Sequence, residues 1–273
     1  MSDLQPEMRR LSLNQMTIDK SSLTEAVDAC MHMGIPWIGA WRHKIQPNPT
    51  HAGRVIKDAG LCVSSLCRGG MFPAATAQER WKRIEDNIRA IDEATAIGTD
   101  LLVLVNGAAP DRDIAAARQM VIEGIAEIQP YATQCGVRLA VEPLHPMFAA
   151  ERSVVVTLAQ ANDIALLFDP QWVGVVVDVY HLWWDPQVYD EIARAARRIF
   201  AFHVSDWLVP TPSILMGRGL MGQGVIEIRK LRAAVEAAGY AGPIEVEIFN
   251  ETLSQLPVNE YLRLIVGAYQ QFV

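Results

Sequence analysis

The stretch Val173-Gly174-Val175-Val176-Val177-Asp178-Val179-Tyr180-His181 is a continuous apolar run that ends in an acid and, three residues later, a histidine. A half-exposed strand alternates apolar and polar residues, whereas a strand covered on both faces is apolar throughout. The run Leu101-Leu102-Val103-Leu104-Val105 has the same character. These runs therefore indicate parallel strands that are covered on both faces.

Short strand patterns alternate with longer helical patterns about eight times along the chain. The pattern predicts strands at residues 9–17 (a weak signal), 35–41, 61–67, 101–106, 138–142, 173–179, 200–204 and 244–249. It predicts helices near residues 22–33, 49–59, 77–97, 112–134, 154–168, 186–198, 226–238 and 257–271. Glycines are expected to end five helices, at Gly34, Gly60, Gly98, Gly136 and Gly239, and Asp111 or Asp113 is expected to cap one.

Eight strand-then-helix units of this size predict an α/β fold, a single (β/α)8 TIM barrel that covers residues 1–273. The alternative is an open doubly wound sheet. No Gly-x-Gly-x-x-Gly follows the first strand, which counts against a dinucleotide-binding version of that sheet. The chain has no linker or low-complexity tract, which agrees with one domain.

The composition excludes several classes of protein. The chain has 273 residues and a net charge of −7, and no basic stripe stands out, so we expect no nucleic-acid partner. The start has no signal-peptide pattern and no apolar run reaches the roughly 18 residues of a membrane span, so we expect a cytoplasmic protein with no membrane contact. The scattered cysteines Cys30, Cys62, Cys67 and Cys135 are interpreted as free buried thiols in a reducing compartment.

The most informative functional feature is a set of ionisable residues at the ends of four successive strands. The set is Glu142, Asp178, His203 and Glu247. Active sites of TIM barrels lie at the carboxyl ends of the strands. Three carboxylates that meet there would repel one another, and a divalent cation would remove that cost. Oxygen ligands with one imidazole suit Mn²⁺, Mg²⁺ or Co²⁺, so a metal site is predicted. Separate caps or ion pairs are the alternative.

The chain resembles the xylose isomerase-like TIM-barrel superfamily over nearly its whole length. The resemblance is to the sugar isomerase and epimerase branch, which includes relatives of tagatose and psicose epimerases and of inosose dehydratase. Asp178-Val179-Tyr180-His181 matches the Asp-x-x-His motif of the family. The segments around Glu142, His203 and Glu247 match as well, and so does Arg218 before Gly222-Gln223-Gly224.

The resemblance implies one divalent metal on Glu142, Asp178, His203 and Glu247, with Mn²⁺ expected and Co²⁺, Mg²⁺ or Zn²⁺ as alternatives. It also implies that Glu142 and Glu247 form the catalytic acid/base pair. His181 and Arg218 would contact substrate oxygens. Loss of a proton beside a ketone gives an enediolate, which is reprotonated by an epimerase or isomerase.

Further residues at strand ends are candidates for substrate binding. His145 follows Glu142 and is expected to bind substrate or to act as an extra acid, with a polar loop residue as the alternative. Arg68 and Asn106 follow the third and fourth strands, where they could hold substrate hydroxyls. Apurinic endonucleases, distant members of the family, carry metal histidines on early strands, and their absence here argues against a nuclease.

Five tryptophans are predicted near strand ends on the active face, where their rings would stack on a sugar or pack the barrel. They are Trp37, Trp41, Trp183, Trp184 and Trp207. The segment 207–216 is predicted to be a lid over the barrel mouth or an oligomer contact. Glu245 is expected to form an internal ion pair rather than a metal ligand. Asp206 is expected to orient His203 or Arg218, or to cap a loop.

Three functions are consistent with these residues. The first is a metal-dependent epimerase or isomerase that acts on a small carbohydrate, a keto-sugar or keto-glycoside. The second is a lyase or dehydratase with the same site, and the third is a barrel that binds without catalysis, which the complete ligand set argues against. The sequence leaves open the sugar, its phosphorylation and the metal. It also leaves open the oligomeric state, although the tryptophan-rich face favours a homo-oligomer.

Overall fold

Eight parallel strands form a closed barrel in the computed structural model, which describes residues 6–273. The barrel strands are β1 (Leu11–Asn14), β2 (Trp37–Trp41), β3 (Cys62–Gly70), β4 (Leu101–Val105), β5 (Arg138–Glu142), β6 (Val173–Asp178), β7 (Ile199–Val204) and β10 (Ile244–Val246). Each strand pairs with its neighbour in the chain, and β10 pairs with β1 to close the ring. A short antiparallel pair, β8 (Asp206–Trp207) and β9 (Arg218–Gly219), lies beyond β7. The predicted single TIM barrel is confirmed.

Eight longer helices connect and follow the barrel strands in the described part of the chain. They are α1 (Leu23–Met33), α3 (Pro49–Asp58), α4 (Ala77–Ile97), α5 (Ile114–Gln134), α6 (Leu158–Ala165), α8 (Val188–Ala195), α9 (Ile228–Ala237) and α10 (Val258–Phe272). Two single-turn helices, α2 (Arg42–Ile45) and α7 (Val179–Leu182), directly follow β2 and β6. No helix within residues 6–273 is both long and apolar enough to cross a membrane.

The helix ends follow the local signals in the sequence. Ser22 accepts a hydrogen bond from the Glu25 N–H, while the Glu25 carboxylate accepts one from the Ser22 N–H, which starts α1 with a capping box. Gly34 ends the same helix with φ of 67°, a left-handed conformation that is easy for glycine alone. Asp113, one of the two proposed caps, accepts from the Ala116 N–H at 2.9 Å and begins α5.

Several predicted boundaries differ from the structure by two or more residues. The strand predicted at 9–17 stops at Asn14, because the Asn14 side chain accepts from the Met16 N–H and turns the chain into a short 3₁₀ helix. The last strand ends at Val246 rather than residue 249. Helix α6 begins only after the Thr157 cap, four residues later than the predicted start at 154.

The barrel interior divides into an apolar and a polar part. On one side Val103, Ala140 and Val176 are fully buried and pack together. On the other side Asn14 donates to Glu245 at 2.6 Å, and Ser65 donates to the same carboxylate at 3.1 Å. These buried polar groups form hydrogen bonds with one another below the carboxyl ends of the strands, so the floor of the barrel mouth is buried and hydrogen-bonded.

Candidate metal centre

Four strand ends place four ligand-type side chains around one point. Glu142 is the last residue of β5, Asp178 is the last of β6, His203 lies in β7, and Glu247 directly follows β10. One ligand atom from each of these residues lies within 4.8 Å of the others, and all four side chains are buried. The structure therefore brings together the complete set that the sequence predicted, from positions that are far apart along the chain.

The imidazole of His203 presents one nitrogen to the cluster and the other to the barrel interior. Its Nδ1 lies 3.4 Å from Glu142 Oε1 and 3.8 Å from Glu247 Oε2. Its Nε2 lies 4.0 Å from Glu245 Oε1, one layer deeper. Neither ring nitrogen has a hydrogen-bond partner among the described residues. Nδ1 is thus the nitrogen that faces the carboxylates.

Arg218 ties the carboxylates to the loop above them. Its Nη1 donates to Asp178 Oδ2 at 3.1 Å and to Glu247 Oε2 at 3.0 Å. The guanidinium lies between the rings of Tyr180 and Phe249, 4.5 and 4.7 Å from their centroids. A planar cation held between two aromatic faces keeps a fixed orientation.

The pKa shifts of Glu247, Asp178 and His203 show the electrostatic cost of bringing these groups together in a buried site. Burial raises the pKa of the Glu247 carboxyl, and Glu142 and Glu245 add to that shift against the opposing effect of Arg218 and His203. Burial likewise raises the pKa of Asp178. At His203 burial disfavours the imidazolium, but Glu245, Glu142 and Glu247 outweigh it and raise the pKa to about 10. Burial is thus the first cause of the shifts at the two carboxyl groups, whereas the attraction of three carboxylates raises the pKa of the imidazole.

These residues fit a divalent metal ion. Two ligands on opposite sides of a small cation lie about 4.2 Å apart, given metal–oxygen bonds of about 2.1 Å. The observed spread of up to 4.8 Å is within small side-chain adjustments of that distance. The unpartnered Nδ1 of His203 and three buried carboxylates supply the hard donors that Mn²⁺, Mg²⁺ or Co²⁺ prefers and that Zn²⁺ also accepts. A bound cation would offset the repulsion that raises the carboxyl pKa values.

A small cavity opens directly onto these groups. It has a volume of about 50 Å³, well below the roughly 300 Å³ at which ligand pockets begin. Its lining residues are Trp41, Cys67, Arg68, Val105, Glu142, Leu144, Phe148, Arg152, His181, Leu215, Arg218, Glu247 and Phe249. Leu215 belongs to the segment predicted as a lid, and Tyr180 holds that segment by donating to the Ile214 carbonyl at 2.8 Å.

His181 and Arg218, predicted to contact substrate, both line this cavity. The Nδ1 of His181 accepts from the His145 backbone N–H at 3.1 Å. Burial lowers the pKa of His181 well below its usual range, and Arg218 adds to that effect. The Nε2 of His181 lies 3.2 Å from Arg218 Nη2 and 3.5 Å from Asp178 Oδ2.

The other predicted substrate-binding residues lie at different distances from the cavity. Arg68 lines it, whereas the half-buried His145 stacks on Trp207 with 4.9 Å between ring centroids. Asn106 is buried and donates to the Glu142 carbonyl at 2.9 Å, so it supports the strand end. Trp183 packs 5.7 Å from the Trp207 ring and is not among the cavity-lining residues.

Two expectations about nearby residues are resolved by the structure. Trp37 does not lie on the active face, because it is the first residue of β2 and its Nε1 donates to the Arg9 carbonyl at the opposite end of the barrel. Asp206 caps a loop: it accepts from the backbone N–H groups of Gly222 and Gly224, both at 2.9 Å. Its role is to order the turn after Arg218.

Glu245 belongs to the buried polar layer rather than to the four-residue cluster. It accepts from Asn14, Ser64 and Ser65, and its charge faces the His203 ring. A Cβ on Gly39 would lie 2.0 Å from Glu245 Oε1, so the absence of a side chain there makes room for this carboxylate. We expected an internal ion pair for Glu245, and in the structure this carboxylate has His203 Nε2 at 4.0 Å in addition to its three hydrogen bonds.

Sequence reasoning missed two residues near the cluster. Asn14 donates to Glu247 Oε1 at 3.1 Å as well as to Glu245. It ends an apolar strand, and the same strand-end logic would have found it had the first strand been more distinct. Arg152 lines the cavity from the loop after β5, where no pattern in the sequence marks it.

Comparisons with known proteins agree with this fold. The family model described as xylose isomerase-like TIM barrel matches residues 26–265. The crystal structure of protein SMc04130 from Sinorhizobium meliloti 1021 is 47% identical and superposes with a TM-score of 0.94, over 97% of this chain and 98% of that one.

Two curated enzymes are more distant relatives. The 3-dehydroshikimate dehydratase of Pseudomonas putida is 23% identical over 220 residues, which are 78% of this chain and 33% of that protein. The chain thus spans about a third of that relative's length. The L-ribulose-5-phosphate 3-epimerase UlaE of Escherichia coli O1:K1 is 24% identical over 203 residues, 72% of this chain and 68% of the epimerase.

Proposed function

Because the chain belongs to the xylose isomerase-like TIM barrel family, we propose that it is a divalent-metal-dependent epimerase or isomerase of a keto-sugar or keto-glycoside. The observation that supports this most strongly is the buried convergence of Glu142, Asp178, His203 and Glu247 within 4.8 Å. The relationship to an epimerase of L-ribulose 5-phosphate agrees with a carbohydrate substrate.

The four residues would hold one cation, with Mn²⁺ expected and Co²⁺, Mg²⁺ or Zn²⁺ as alternatives. When bound, the cation supplies Lewis-acid stabilisation of negative charge on neighbouring substrate oxygens. Its positive charge also favours the ionised forms of Asp178 and Glu247, which burial disfavours.

The chain's own residues carry out the proton transfers. Glu142 and Glu247 lie on β5 and directly after β10, well separated around the barrel, so they approach a substrate carbon from different sides. One carboxylate takes the proton beside the carbonyl and the other returns a proton to the same carbon, which inverts it. His181 and Arg218 hold substrate oxygens, and the apolar side chains of Leu215 and Phe249 form part of the cavity wall.

Elimination is the second candidate, because a relative is a 3-dehydroshikimate dehydratase. In that reaction the same carboxylate removes the proton beside the carbonyl. The electron pair then expels a β-hydroxyl group, which leaves as water after it takes a proton from the second carboxylate. The two reactions share the first step and differ in the fate of the electron pair that this step releases.

Metal analysis tests the shared part of the proposal. The full chain is stripped with a chelator, reconstituted separately with Mn²⁺, Co²⁺, Mg²⁺ and Zn²⁺, and its bound metal is measured. Close to one equivalent of at least one cation is expected, and Asp178→Asn should lose it. A wild-type chain that retains none of the four would leave only a barrel that binds without catalysis.

Incubation of the loaded protein with a panel of keto-sugars and oxidised glycosides in D₂O distinguishes the two reactions. Deuterium at one carbon with the remaining mass unchanged indicates epimerisation or isomerisation. Loss of water and a new enone signal indicate elimination. If no member of the panel exchanges a proton or loses water while the metal is bound, the proposed carbohydrate chemistry is wrong.

A further inference from the structure

Three arginines line the metal-site cavity, and they differ in their partners. Arg218 is paired with Asp178 and Glu247 at 3.1 and 3.0 Å. Arg68 and Arg152 also line the cavity, but neither has a carboxylate within ion-pair distance among residues 6–273. Two of the three positive charges at this cavity are therefore without a protein anion.

The two unpaired arginines lie on either side of one strand. Arg68 is in β3, which pairs with β4. The Arg152 carbonyl accepts from the N–H of Gly107, just beyond the end of β4, at 2.9 Å. Val105, the last residue of β4, lies between them in the cavity wall. The pair thus faces the half of the barrel mouth opposite Arg218.

Neither side chain is a freely solvated surface group. Both residues are only partly exposed, and the Arg152 guanidinium lies 5.7 Å from the centre of the Phe148 ring, which also lines the cavity.

The space beside Arg68 extends beyond the metal-site cavity. A second cavity of about 310 Å³ shares Trp41, Cys67 and Arg68 with the first. Arg68 therefore lies where a substrate with one end at the carboxylate cluster would project a further group. Guanidinium forks match the oxyanion geometry of carboxylate and phosphate.

We propose that the substrate carries an oxyanion, a carboxylate or a phosphate, which Arg68 and Arg152 bind over Val105. This inference rests on the proposed function, because it concerns the substrate of the same site. It narrows the keto-sugars and keto-glycosides to acidic or phosphorylated ones. A carboxylate and a phosphate share the recognition chemistry, and matched probes separate them.

The test is a binding measurement on the full chain loaded with metal. Calorimetric titration compares 5-keto-D-gluconate with L-sorbose, which carries a hydroxymethyl group in place of the carboxylate. It also compares D-xylulose 5-phosphate with D-xylulose. The anionic member of at least one pair should bind roughly 10- to 100-fold more tightly, as charge-assisted hydrogen bonds of this kind give. Which pair shows the preference identifies the anion.

Variants connect the preference to the two arginines. Arg68→Gln and Arg152→Gln should each remove most of the preference while the bound metal stays at its wild-type level. Arg68→Lys should keep part of the preference for the anionic ligand. Because this variant retains the positive charge, it distinguishes loss of the charge from loss of the folded state. Arg263→Gln, an exposed change on α10, is the control and should leave it intact.

Two outcomes would overturn the inference: equal binding of both members of each pair, or a preference that survives both glutamine variants. Since binding is read without turnover, an inactive chain that still prefers anions would sink the proposed reaction but not the anion site. An active chain that binds both members of each pair equally would contradict the anion site and leave the proposed reaction intact.

Discussion

Removal of the divalent cation should lower the thermal stability of this protein by a measurable amount. The three buried carboxylates are held together in the folded chain, and burial raises the pKa values of Asp178 and Glu247. Arg218 offsets only part of that cost, because it reaches two of the three carboxylates. A cation at this point is therefore expected to stabilise the folded state.

The magnitude comes from binding to the folded state alone. The ligands Glu142, Asp178, His203 and Glu247 come from four separate strands, so the unfolded chain has no equivalent site. At a free metal concentration about a hundred times Kd, the gain in unfolding free energy is about 2.7 kcal/mol. For a chain of this size each kcal/mol shifts Tm by roughly 2–4 °C, so a rise of about 5–10 °C is expected.

Differential scanning calorimetry of the stripped chain at increasing Mn²⁺ measures this shift. Asp178→Asn should abolish it, whereas Glu127→Gln, an exposed change on the outer helix α5, should not. The reasoning is refuted if Tm stays constant up to millimolar concentrations of all four cations. It is equally refuted if Asp178→Asn still shows the full rise.

Three further outcomes are expected. Glu142→Gln and Glu247→Gln should each lower kcat by about 10²- to 10⁴-fold in the deuterium-exchange assay, and a variant that keeps wild-type kcat is not part of the acid/base pair. Glu245→Gln should weaken metal binding about 10- to 100-fold, because a carboxylate facing the second nitrogen of a ligand imidazole orients the ring; an unchanged Kd by calorimetric titration would exclude that role. The hydrogen bond from Arg42 lowers the pKa of Asp86, so this partly exposed pair stabilises the fold above the unfolded pKa near 3.9 and less as pH falls below it. Asp86→Asn should therefore flatten urea-measured stability between about pH 5 and 2, by at most about 1 kcal/mol, and an identical pH profile would contradict this.

Local chemistry explains why much of the fold was predictable. Gly34 after α1 and Asp113 before α5 act on neighbouring backbone groups, and a continuous apolar run is itself a local pattern. Each of these features can therefore be recognised in a short window of sequence. The prediction of the metal site also needed only local information. In a barrel of parallel strands, the carboxyl ends of all strands lie at the same mouth. Glu142, Asp178, His203 and Glu247 were found in this way.

The misplacements have a different physical origin. Trp37 was assigned to the active face, although it starts β2 and lies at the opposite end of the barrel. Its strand is only five residues long, so the tryptophans at its two ends look alike in the sequence. Trp183 was expected at the substrate, but its ring packs against Trp207. An aromatic ring fits a cavity wall and a packed cluster equally well.

By itself the sequence determined the barrel and the four ionisable side chains that meet at one mouth of it, because each depends on strand direction and local pattern. Only the tertiary structure decided which neighbours those side chains have. It placed Glu245 behind His203 and paired Arg218 with two carboxylates, and within the described part of the chain it gave Arg68 and Arg152 no carboxylate partner beside the cavity. These facts depend on distances between residues far apart along the chain. The charge of a side chain can be read from its residue type, but its partner depends on which distant residues the closed barrel brings next to it.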